Sequence, residues 1–530
     1  MRFNTLTFTF IEAVAASGAT AAPSHTNAPS IASVERHRAN LTVDITLTHQ
    51  NIDGFGFCEA FQRAHSIRNL PEPYQKQVLD LLFDQKTGAG LSILRLGLGS
   101  SENSTLDHMN SPQPTEDGPF AWDRQDSGQV WVAKQVQKYG VTTFYADAWS
   151  APGYMKTNGR DDQGGWLCGV RGEGQSNGTS CGDGSSFVIA YAQYLARYVQ
   201  GWFEEGIPIQ HVGFLNEPNL IKPYATMQSN GYQAADEIFA LSIALGGIGL
   251  PSVGISCCEA QGWSMARDIL AEVQAASAED QLSVITTHTY KGTPPGPERP
   301  LNTTLPVWVT EISPIMDRLG MTQTWYRNNS ENEGLRNGVN IHEALVTGNV
   351  SAYIYWIGVS QSSAEAPFIW APNRDRNDTR ETMWWPNEQV NMTTGIKTNS
   401  SVPYYTIGST YWATAHYSRF IRPGAKRVGT ELKSSGGVSK SILSSAYVNQ
   451  DRSVVVQIIN NGDAEVDVDV LVLRSGPVSS AKSKTCRVDT WITDNSRRFV
   501  SVGLGEAVSE DGTFEKSLPA RSLTTFVVRC

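Results

Sequence analysis

The sequence lacks several short motifs that mark common enzyme classes. It has no G-x-G-x-x-G or G-x-x-x-x-G-K segment, which disfavours a nucleotide-binding sheet. Its G-x-S-x-G match at 174–178 lies in a Gly- and Ser-rich stretch and follows no strand-like run, so a serine hydrolase would have no nucleophile on the strand-to-helix turn that this motif requires. No C-x-x-C pair is present, and the nine histidines never lie four residues apart or in an H-x-H pair. We therefore expect no metal site and no cofactor.

Positive charge is also scarce. The 42 Lys and Arg residues face 52 Asp and Glu residues, which gives a net charge of −10 and opposes non-specific binding of nucleic acid. Beyond the N-terminal stretch, no window approaches the roughly 20 uninterrupted apolar residues of a membrane span. We expect a monomer that binds neither nucleic acid nor membranes, and 40% hydrophobic residues suffice for a sizeable core.

The N-terminus has the features of an export signal. Arg2 precedes an apolar stretch from Leu6 to Ala16, and Ala19-Thr20-Ala21 offers a cleavage site, although Glu12 interrupts the stretch. We predict a signal peptide over residues 1–22. Nine N-x-S/T glycosylation acceptors also favour the secretory route. These acceptors are Asn40, Asn103, Asn177, Asn302, Asn328, Asn349, Asn377, Asn391 and Asn399. We therefore expect a secreted, extracellular protein.

Seven cysteines fit an oxidising compartment. Cys168 and Cys181 bracket a Gly- and Ser-rich loop, and Cys486 and Cys530 lie in the last strand-rich region, so each pair is a candidate disulfide. The remaining cysteines are Cys58, Cys257 and Cys258, an odd number that leaves at least one thiol free. A thiol nucleophile at the Cys257-Cys258 pair has no supporting His–Asn arrangement.

Short β-like runs alternate with helical stretches over residues 51–418. The predicted strands are Ile52–Phe57, Leu91–Leu98, Thr142–Ala148, His211–Leu215, Ser252–Ser256, Ser283–Thr287, Val307–Thr310 and Ala352–Trp356. The predicted helices between them include Tyr74–Phe83, Phe187–Glu205, Met265–Ala276 and Leu335–Val346. Eight alternations predict a (β/α)₈ barrel, the TIM barrel, with a doubly wound sheet as the alternative.

The pattern changes after Arg422-Pro423-Gly424. Alternating β-like runs without helices follow, such as SVVVQIINN and DVDVLVLRS, which are typical of a small antiparallel β-sandwich. The segment Ser33–Thr48 alternates in the same way and precedes the first barrel strand. We therefore predict an attached sandwich domain made of residues 30–50 and 419–530.

Two carboxylates lie where buried strands are predicted to end. Glu217 follows the apolar run in VGFLNEPN, and Glu311 follows the one in LPVWVTEIS. A carboxylate at such a position is costly to bury unless it is paired or used. Because strand ends of one barrel share a mouth, the two groups can face each other, as retaining glycosidases require.

The ordered motifs resemble glycoside hydrolase family 30. The resemblance runs through GFGFCEAFQRA at 54–64, LDLLFDQKTGAGLSILRLGLGSS at 79–101 and FYADAWSAPGYMKTNG at 144–159, and continues in LNEPN, HTY, VWVTEIS and YIYWIGV. It implies a retaining glycosidase in which Glu217 is the general acid/base and Glu311 the nucleophile. It further implies substrate contacts from Arg95, Trp149, Asn216, Tyr290 and Trp356, with Asn216 binding the sugar 2-hydroxyl. Asp147 stands where the family often has another residue, and the resemblance assigns it no role.

Within the family, the chain looks most like the fungal xylanases of subfamily 7. This likeness implies a plant cell-wall substrate, β-1,4-xylan or glucuronoxylan, cleaved in an endo mode or with release of xylobiose. Arg63 is the candidate for binding a uronate side group, because a guanidinium can hold a carboxylate through two bonds; Arg374 and Arg376 compete for that role. The alternatives are a β-1,6-galactanase or β-1,6-glucanase of the same family and, more remotely, a non-catalytic carbohydrate-binding protein.

Overall fold

A computed structural model describes most of the chain after residue 36. The described residues are 37–103, 108–171, 181–182, 184–292, 294, 301–314, 320–328, 330, 332–372, 380–385, 388–393, 403–434, 440–473 and 486–530. The predicted signal peptide over residues 1–22 lies outside them, as do Arg374 and Arg376. Within these ranges, no helix has both the length and the apolar character needed to cross a bilayer.

A long first strand, β1 (His37–Ile52), leads into a closed barrel of eight parallel strands. The barrel strands are β2 (Gly54–Cys58), β3 (Ile93–Leu98), β4 (Thr143–Ala148), β5 (His211–Gly213), β6 (Gly254–Gly262), β7 (Leu282–Lys291), β8 (Val307–Glu311) and β9 (Ala352–Ile357). The barrel closes where β2 pairs with β9 and Gly54 lies opposite Ala352. A separate buried cluster that includes Ile93, Tyr145 and Trp308 joins side chains of several barrel strands.

Helices cover the outside of the barrel. Their buried residues recur every three or four positions, so such a helix has one apolar face that packs against the barrel. In α4, for example, Tyr191, Leu195, Tyr198 and Trp202 are all buried. The described helices are α1 (Ala64–Arg68), α2 (Tyr74–Phe83), α3 (Gln129–Gln137), α4 (Val188–Glu204), α5 (Gly231–Gly247), α6 (Trp263–Ala275), α7 (Gly334–Val346) and α8 (Ser409–Ser418). Short strands lie in the loops after β9. They are β10 (Val359–Ser360), β11 (Ile369–Trp370), β12 (Arg380–Trp385), β13 (Glu388–Thr393) and β14 (Thr406–Ile407).

A nine-stranded sheet joins β1 to the strands that follow the barrel. Those strands are β15 (Ala425–Ser434), β16 (Ile442–Val448), β17 (Val454–Asn460), β18 (Val466–Leu473), β19 (Arg487–Thr493), β20 (Val500–Ala507), β21 (Thr513–Leu518) and β22 (Ser522–Arg529). Their order is β20-β19-β22-β17-β16-β15-β1-β18-β21. We predicted an antiparallel arrangement, but β1 and β18 pair in parallel, with His37 opposite Val466. A parallel pair is possible here because β1 precedes the barrel in the chain and β18 follows it, so no hairpin joins the two strands.

The structure thus confirms the predicted fold class, a (β/α)₈ barrel with a β-sandwich domain. The two parts share a buried boundary. On β17, Val456 and Ile458 belong to the core of the nine-stranded sheet, whereas Val455 and Ile459 belong to the core that contains the barrel. Since both faces of this strand are buried, its apolar residues follow one another directly, broken only by Gln457, rather than alternating with polar ones.

Three disulfides form, and they include both candidate pairs. Cys168 is bonded to Cys181 and Cys486 to Cys530. The third bond joins the adjacent residues Cys257 and Cys258, which leaves Cys58 as a buried thiol. Burial raises the pKa of this thiol to about 12, so it is neutral at ordinary pH.

Candidate active site

The carboxyl ends of the barrel strands bring the predicted site residues together. Arg95 lies on β3, Glu311 ends β8, and Asn216 and Glu217 follow β5. Since the strands are parallel, their carboxyl ends form one edge of the barrel, which we call the mouth. Glu217 is 6% exposed and Glu311 is 5% exposed. Two acidic side chains this deeply buried need partners.

The two carboxylates lie close together. One oxygen of Glu217, one oxygen of Glu311 and a ring nitrogen of His288 all lie within 4.8 Å of one another. Retaining glycosidases hold their two carboxyl groups about 5–5.5 Å apart, whereas inverting enzymes need a wider gap of about 6.5–9.5 Å for a water molecule. The short separation fits the retaining arrangement.

Arg95 connects most of the polar groups at the mouth. Its Nη1 donates to Glu311 Oε2 at 2.6 Å. Its Nη2 lies 2.7 Å from Asp147 Oδ2, 2.6 Å from Asn216 Oδ1 and 2.7 Å from Glu259 Oε2. The guanidinium is fully buried and its Cζ lies 4.8 Å from the centre of the Trp149 ring. One cation therefore fixes side chains from four strands or their loops.

Arg95 also determines which way the Asn216 amide points. A guanidinium has donors only, so the atom that contacts it must be the amide oxygen. The amide nitrogen is thereby directed away from Arg95. The backbone of Asn216 is held as well, because its N–H donates to Ala148 O at 2.7 Å.

His288 bridges two acidic residues. Its Nε2 lies 2.8 Å from Glu259 Oε2 and its Nδ1 lies 3.3 Å from Glu217 Oε1. Burial lowers the pKa of His288, but the charge of Glu311 and the bonds to Glu217 and Glu259 outweigh burial and raise it to about 10. His288 is therefore an imidazolium at neutral pH, and both ring nitrogens donate.

Tyr290 and Arg95 both donate to Glu311. The Tyr290 hydroxyl lies 2.9 Å from Glu311 Oε1, while Arg95 occupies Oε2. Burial is the largest influence on Glu311 and raises its pKa, and His288 and Arg95 counteract it. The two donors orient the carboxylate and favour its ionised form.

Asp147 and Glu259, which both contact Arg95, have pKa values shifted in opposite directions. Burial raises the pKa of Asp147 to about 8, and the neighbouring charge of Glu259 adds to the effect. Burial also acts on Glu259, but Arg95 and His288 outweigh it and lower its pKa to about 2. Tyr145 also donates to Glu259, at 2.7 Å. At neutral pH, Glu259 is thus the charged partner of the two cations and Asp147 is protonated.

Aromatic rings form one wall of the mouth. Trp149, Trp356 and Phe61 pack against each other, with ring centres 5.2–6.4 Å apart. Trp149 is 2% exposed and Trp356 is 9% exposed. Both predicted tryptophans therefore belong to one cluster at the mouth and pack edge to face or tilted against Phe61.

Arg63 lies in a different environment from the one we predicted. It is 5% exposed, and its guanidinium forms an ion pair with Glu365, which is also 5% exposed. The charge that we assigned to a substrate uronate is therefore already balanced by a protein carboxylate. Uronate binding by Arg63 stays a prediction, and it would require the substrate to share or displace Glu365.

Glu217, His288 and Glu311 are spaced as a metal site would be. The protonation of His288 argues against that use, because an imidazolium has no lone pair for a metal. Its two ring nitrogens are already directed at carboxylates. The group fits a hydrogen-bonded network of two carboxyl groups and one cation better than it fits a metal centre.

Sequence reasoning missed the role of Glu259 and assigned none to His288. We ended the predicted strand at Ser256, whereas β6 continues to Gly262 and carries Glu259 into the mouth. The available signal was the acidic residue after the apolar run VGISCC, the same pattern that identified Glu217 and Glu311.

Comparisons with known proteins identify the family. A model of glycosyl hydrolase family 59 matches residues 52–370, and a model of the glycosyl hydrolase family 30 beta sandwich domain matches residues 424–526. The catalytic domain of the GH30 xylanase C from Talaromyces cellulolyticus is 35% identical, with a TM-score of 0.73 over 93% of this chain and 100% of that one. The chain belongs to glycoside hydrolase family 30.

Other relatives differ in the substrates that their names give. The endo-1,6-β-D-glucanase BGN16.3 of Trichoderma harzianum is 24% identical over 86% of this chain and 86% of its own length. The glucuronoxylanase XynC of Bacillus subtilis is 28% identical over 40% of this chain and 39% of its own. Membership of family 30 makes the protein a glycoside hydrolase with a polysaccharide substrate.

Proposed function

We propose that this family 30 protein is a secreted retaining β-xylanase that cleaves β-1,4-xylan, including glucuronoxylan, by double displacement. Glu311 is the nucleophile and Glu217 the general acid/base. The observation that carries the mechanism is the separation of at most 4.8 Å between an oxygen of each carboxylate.

The first half of the reaction transfers the sugar to the enzyme. Glu311 attacks the anomeric carbon while Glu217 gives its proton to the glycosidic oxygen, which leaves as a hydroxyl group. Arg95 and Tyr290 hold the two oxygens of Glu311, so its attacking lone pair has a defined direction. The Nδ2 of Asn216, turned away from Arg95, is available to donate to the sugar 2-hydroxyl.

The second half releases the sugar. A water molecule attacks the same carbon, Glu217 takes its proton, and Glu311 leaves as a carboxylate. The two inversions give retention of configuration. His288 Nδ1 lies 3.9 Å from Glu311 Oε1, so its positive charge balances the negative charge that returns to Glu311.

Azide provides the test of the two roles. With an aryl β-xyloside, Glu311→Ala should give the α-azide, because azide enters the empty nucleophile site by a single inversion. Glu217→Ala should give the β-azide, because the glycosyl-enzyme still forms. Loss of either carboxylate should slow polysaccharide cleavage at least about 10²–10⁴-fold. The same anomer from both variants would contradict the assignment.

Xylan as the substrate is supported by the 35% identity to the Talaromyces xylanase across nearly the whole chain. The second candidate is endo-1,6-β-glucanase activity, which the full-length match to the Trichoderma enzyme favours. Product analysis on glucuronoxylan, unsubstituted xylan, β-1,6-glucan and β-1,6-galactan distinguishes the two candidate activities. Cleavage of β-1,6-glucan alone would overturn the xylanase proposal and leave the mechanism intact.

Secretion is supported by the apolar N-terminal stretch and the glycosylation acceptors. The prediction is that the full-length chain, expressed in a fungal host, enters the medium as a monomer and begins near residue 22. N-terminal sequencing and light scattering measure both. Protein retained in the cells with Met1 intact would contradict it.

A further inference from the structure

The bond between Cys257 and Cys258 lies directly behind the active site. Both residues are on β6, both are buried, and Glu259 follows immediately. The proposed double displacement gives this disulfide no direct role. Neither sulfur is available as a nucleophile, because each is bonded to the other.

The disulfide lies close to the segment that carries the acid/base. It lines a small apolar cavity together with Leu215 and Pro218, which flank Asn216 and Glu217 in the chain. Ala234 of α5 and Ile269 of α6 complete part of the same wall. The disulfide therefore borders a cavity that β6, two helices and the Glu217 segment share.

A backbone hydrogen bond joins the two segments. The N–H of Glu217 donates to the carbonyl of Glu259 at 3.0 Å, and the N–H of Glu259 donates to the Thr286 hydroxyl at 3.1 Å. Glu217 and Glu259 both have positive φ angles, 46° and 50°. Residues other than glycine rarely adopt this region, so surrounding contacts must hold both backbones in place.

The side chain of Glu259 connects this backbone to the rest of the site. It accepts from Arg95 at 2.7 Å and from His288 at 2.8 Å. Those two cations in turn contact Glu311 and Glu217. A displacement of Glu259 would therefore move Arg95 and His288. Through these two side chains it would change the positions of Glu311 and Glu217.

We propose that the Cys257–Cys258 disulfide is a positioning element, which holds Glu259 and the Glu217 segment in the geometry that the reaction needs. This inference rests on the proposed double displacement by Glu217 and Glu311. The bond joins neighbouring residues, so it closes no long loop and gains little from restricting the unfolded chain. Its main effect is local, on the residue that follows it.

The test compares two disulfide-free variants. In Cys257→Ser/Cys258→Ser, we expect kcat to fall about 10–100-fold, because misplacement by about 1 Å can cost that much, while KM changes little. The acidic limb of the kcat pH profile should also shift, because Glu311 loses correctly placed cations. Cys486→Ser/Cys530→Ser removes a disulfide of the nine-stranded sheet and should leave kcat and the pH profile unchanged.

The decisive measurement is whether the loss of kcat on removing the disulfide depends on Glu259. In a Glu259→Gln background, removal of the Cys257–Cys258 bond should cost much less than in the wild type, because its target is already impaired. Equal losses in both backgrounds, or wild-type kcat and pH profile in the serine variant, would overturn the inference. Cys257→Ala/Cys258→Ala serves as a second variant if the serines prevent folding, as judged by circular dichroism.

The wild type is assayed first on xylan and on β-1,6-glucan. If the wild type cleaves neither polysaccharide, the proposed function is wrong. If the wild type cleaves xylan and the disulfide variants keep wild-type kcat and pH profile, only the positioning inference is wrong; cleavage of β-1,6-glucan alone would overturn the xylan specificity and leave the positioning test valid on that substrate.

Discussion

A single hydroxyl group at the mouth has a measurable effect on the reaction. The Tyr290 hydroxyl donates to Glu311 Oε1 at 2.9 Å, and a hydrogen bond to a charged group contributes about 1.5–3 kcal/mol. Tyr290→Phe should therefore lower kcat about 10–100-fold on a soluble xylo-oligosaccharide. Tyr139→Phe is the control, because its hydroxyl donates to Asp80, outside the barrel, at 2.7 Å. Equal losses in the two variants would remove the role of Tyr290.

Asp147 makes the free energy of unfolding depend on pH between about pH 4 and about pH 8. Its pKa of about 8 exceeds the value of about 3.9 in the unfolded chain, so the folded state holds a proton that the unfolded state has released. Between these values stability falls as pH rises, by about 1.4 kcal/mol per pH unit. His288, with a pKa of about 10, acts in the same direction above about pH 6.5.

Urea unfolding at pH 6 and pH 8 measures this dependence. The wild type should lose stability between the two values, and Asp147→Asn should lose less, because its amide does not titrate. An unchanged slope in the variant would show that the proton of Asp147 does not contribute.

At the scale of elements, His416 joins helix α8 to the nine-stranded sheet. Its Nδ1 lies 2.6 Å from the Thr525 hydroxyl and its Nε2 lies 2.8 Å from the Thr493 hydroxyl. Burial lowers the pKa of His416 to about 3. Since the unfolded residue titrates near 6.5, the folded state binds fewer protons between these values, and stability falls as pH decreases.

His416→Gln removes this titration and keeps a polar side chain. The wild type should lose about 2 kcal/mol through His416 between pH 6.5 and 4.5, whereas the variant should be less stable at pH 7.5 but lose less on acidification. Chemical denaturation at several pH values gives the two curves. Parallel curves would mean that His416 does not titrate on unfolding.

The elements themselves were largely predictable from the sequence. Each of the eight predicted barrel strands overlaps an observed one, and helix α2 has the predicted bounds of Tyr74 and Phe83, because apolar periodicity reports burial directly. The prediction failed where strands continue beyond their apolar run. β6 and β7 extend through polar residues into the mouth, so the predicted strands ended before Glu259 and His288.

The site was predictable only in part for a related reason. Glu217 and Glu311 follow conspicuous apolar strands, but the partners of Arg95 and Arg63 depend on three-dimensional distances. Nothing in the local sequence of Arg63 indicates that Glu365, 302 residues away, neutralises it. Long-range ion pairs of this kind have no period and no fixed spacing.

At the scale of the whole molecule, the barrel and the sheet share one hydrophobic core. Ile459 of β17 and Leu523 of β22 belong to the same buried cluster as the barrel strands and helices. Ile459→Ala should cost about 2–5 kcal/mol, because it leaves a cavity at this boundary. Leu473→Ala is the control, since Leu473 is 41% exposed at the end of β18 and its loss should cost less than about 0.5 kcal/mol.

The shared core also predicts how the molecule unfolds. Loss of hydrolytic activity reports on the barrel, and the fluorescence of Trp491 on β19, isolated by comparison with Trp491→Phe, reports on the sheet. If the boundary couples the two parts, both signals should change at one urea concentration, and Ile459→Ala should lower that concentration equally for both. Separate midpoints, with only the fluorescence transition moved by the substitution, would show that the barrel keeps its fold without the sheet.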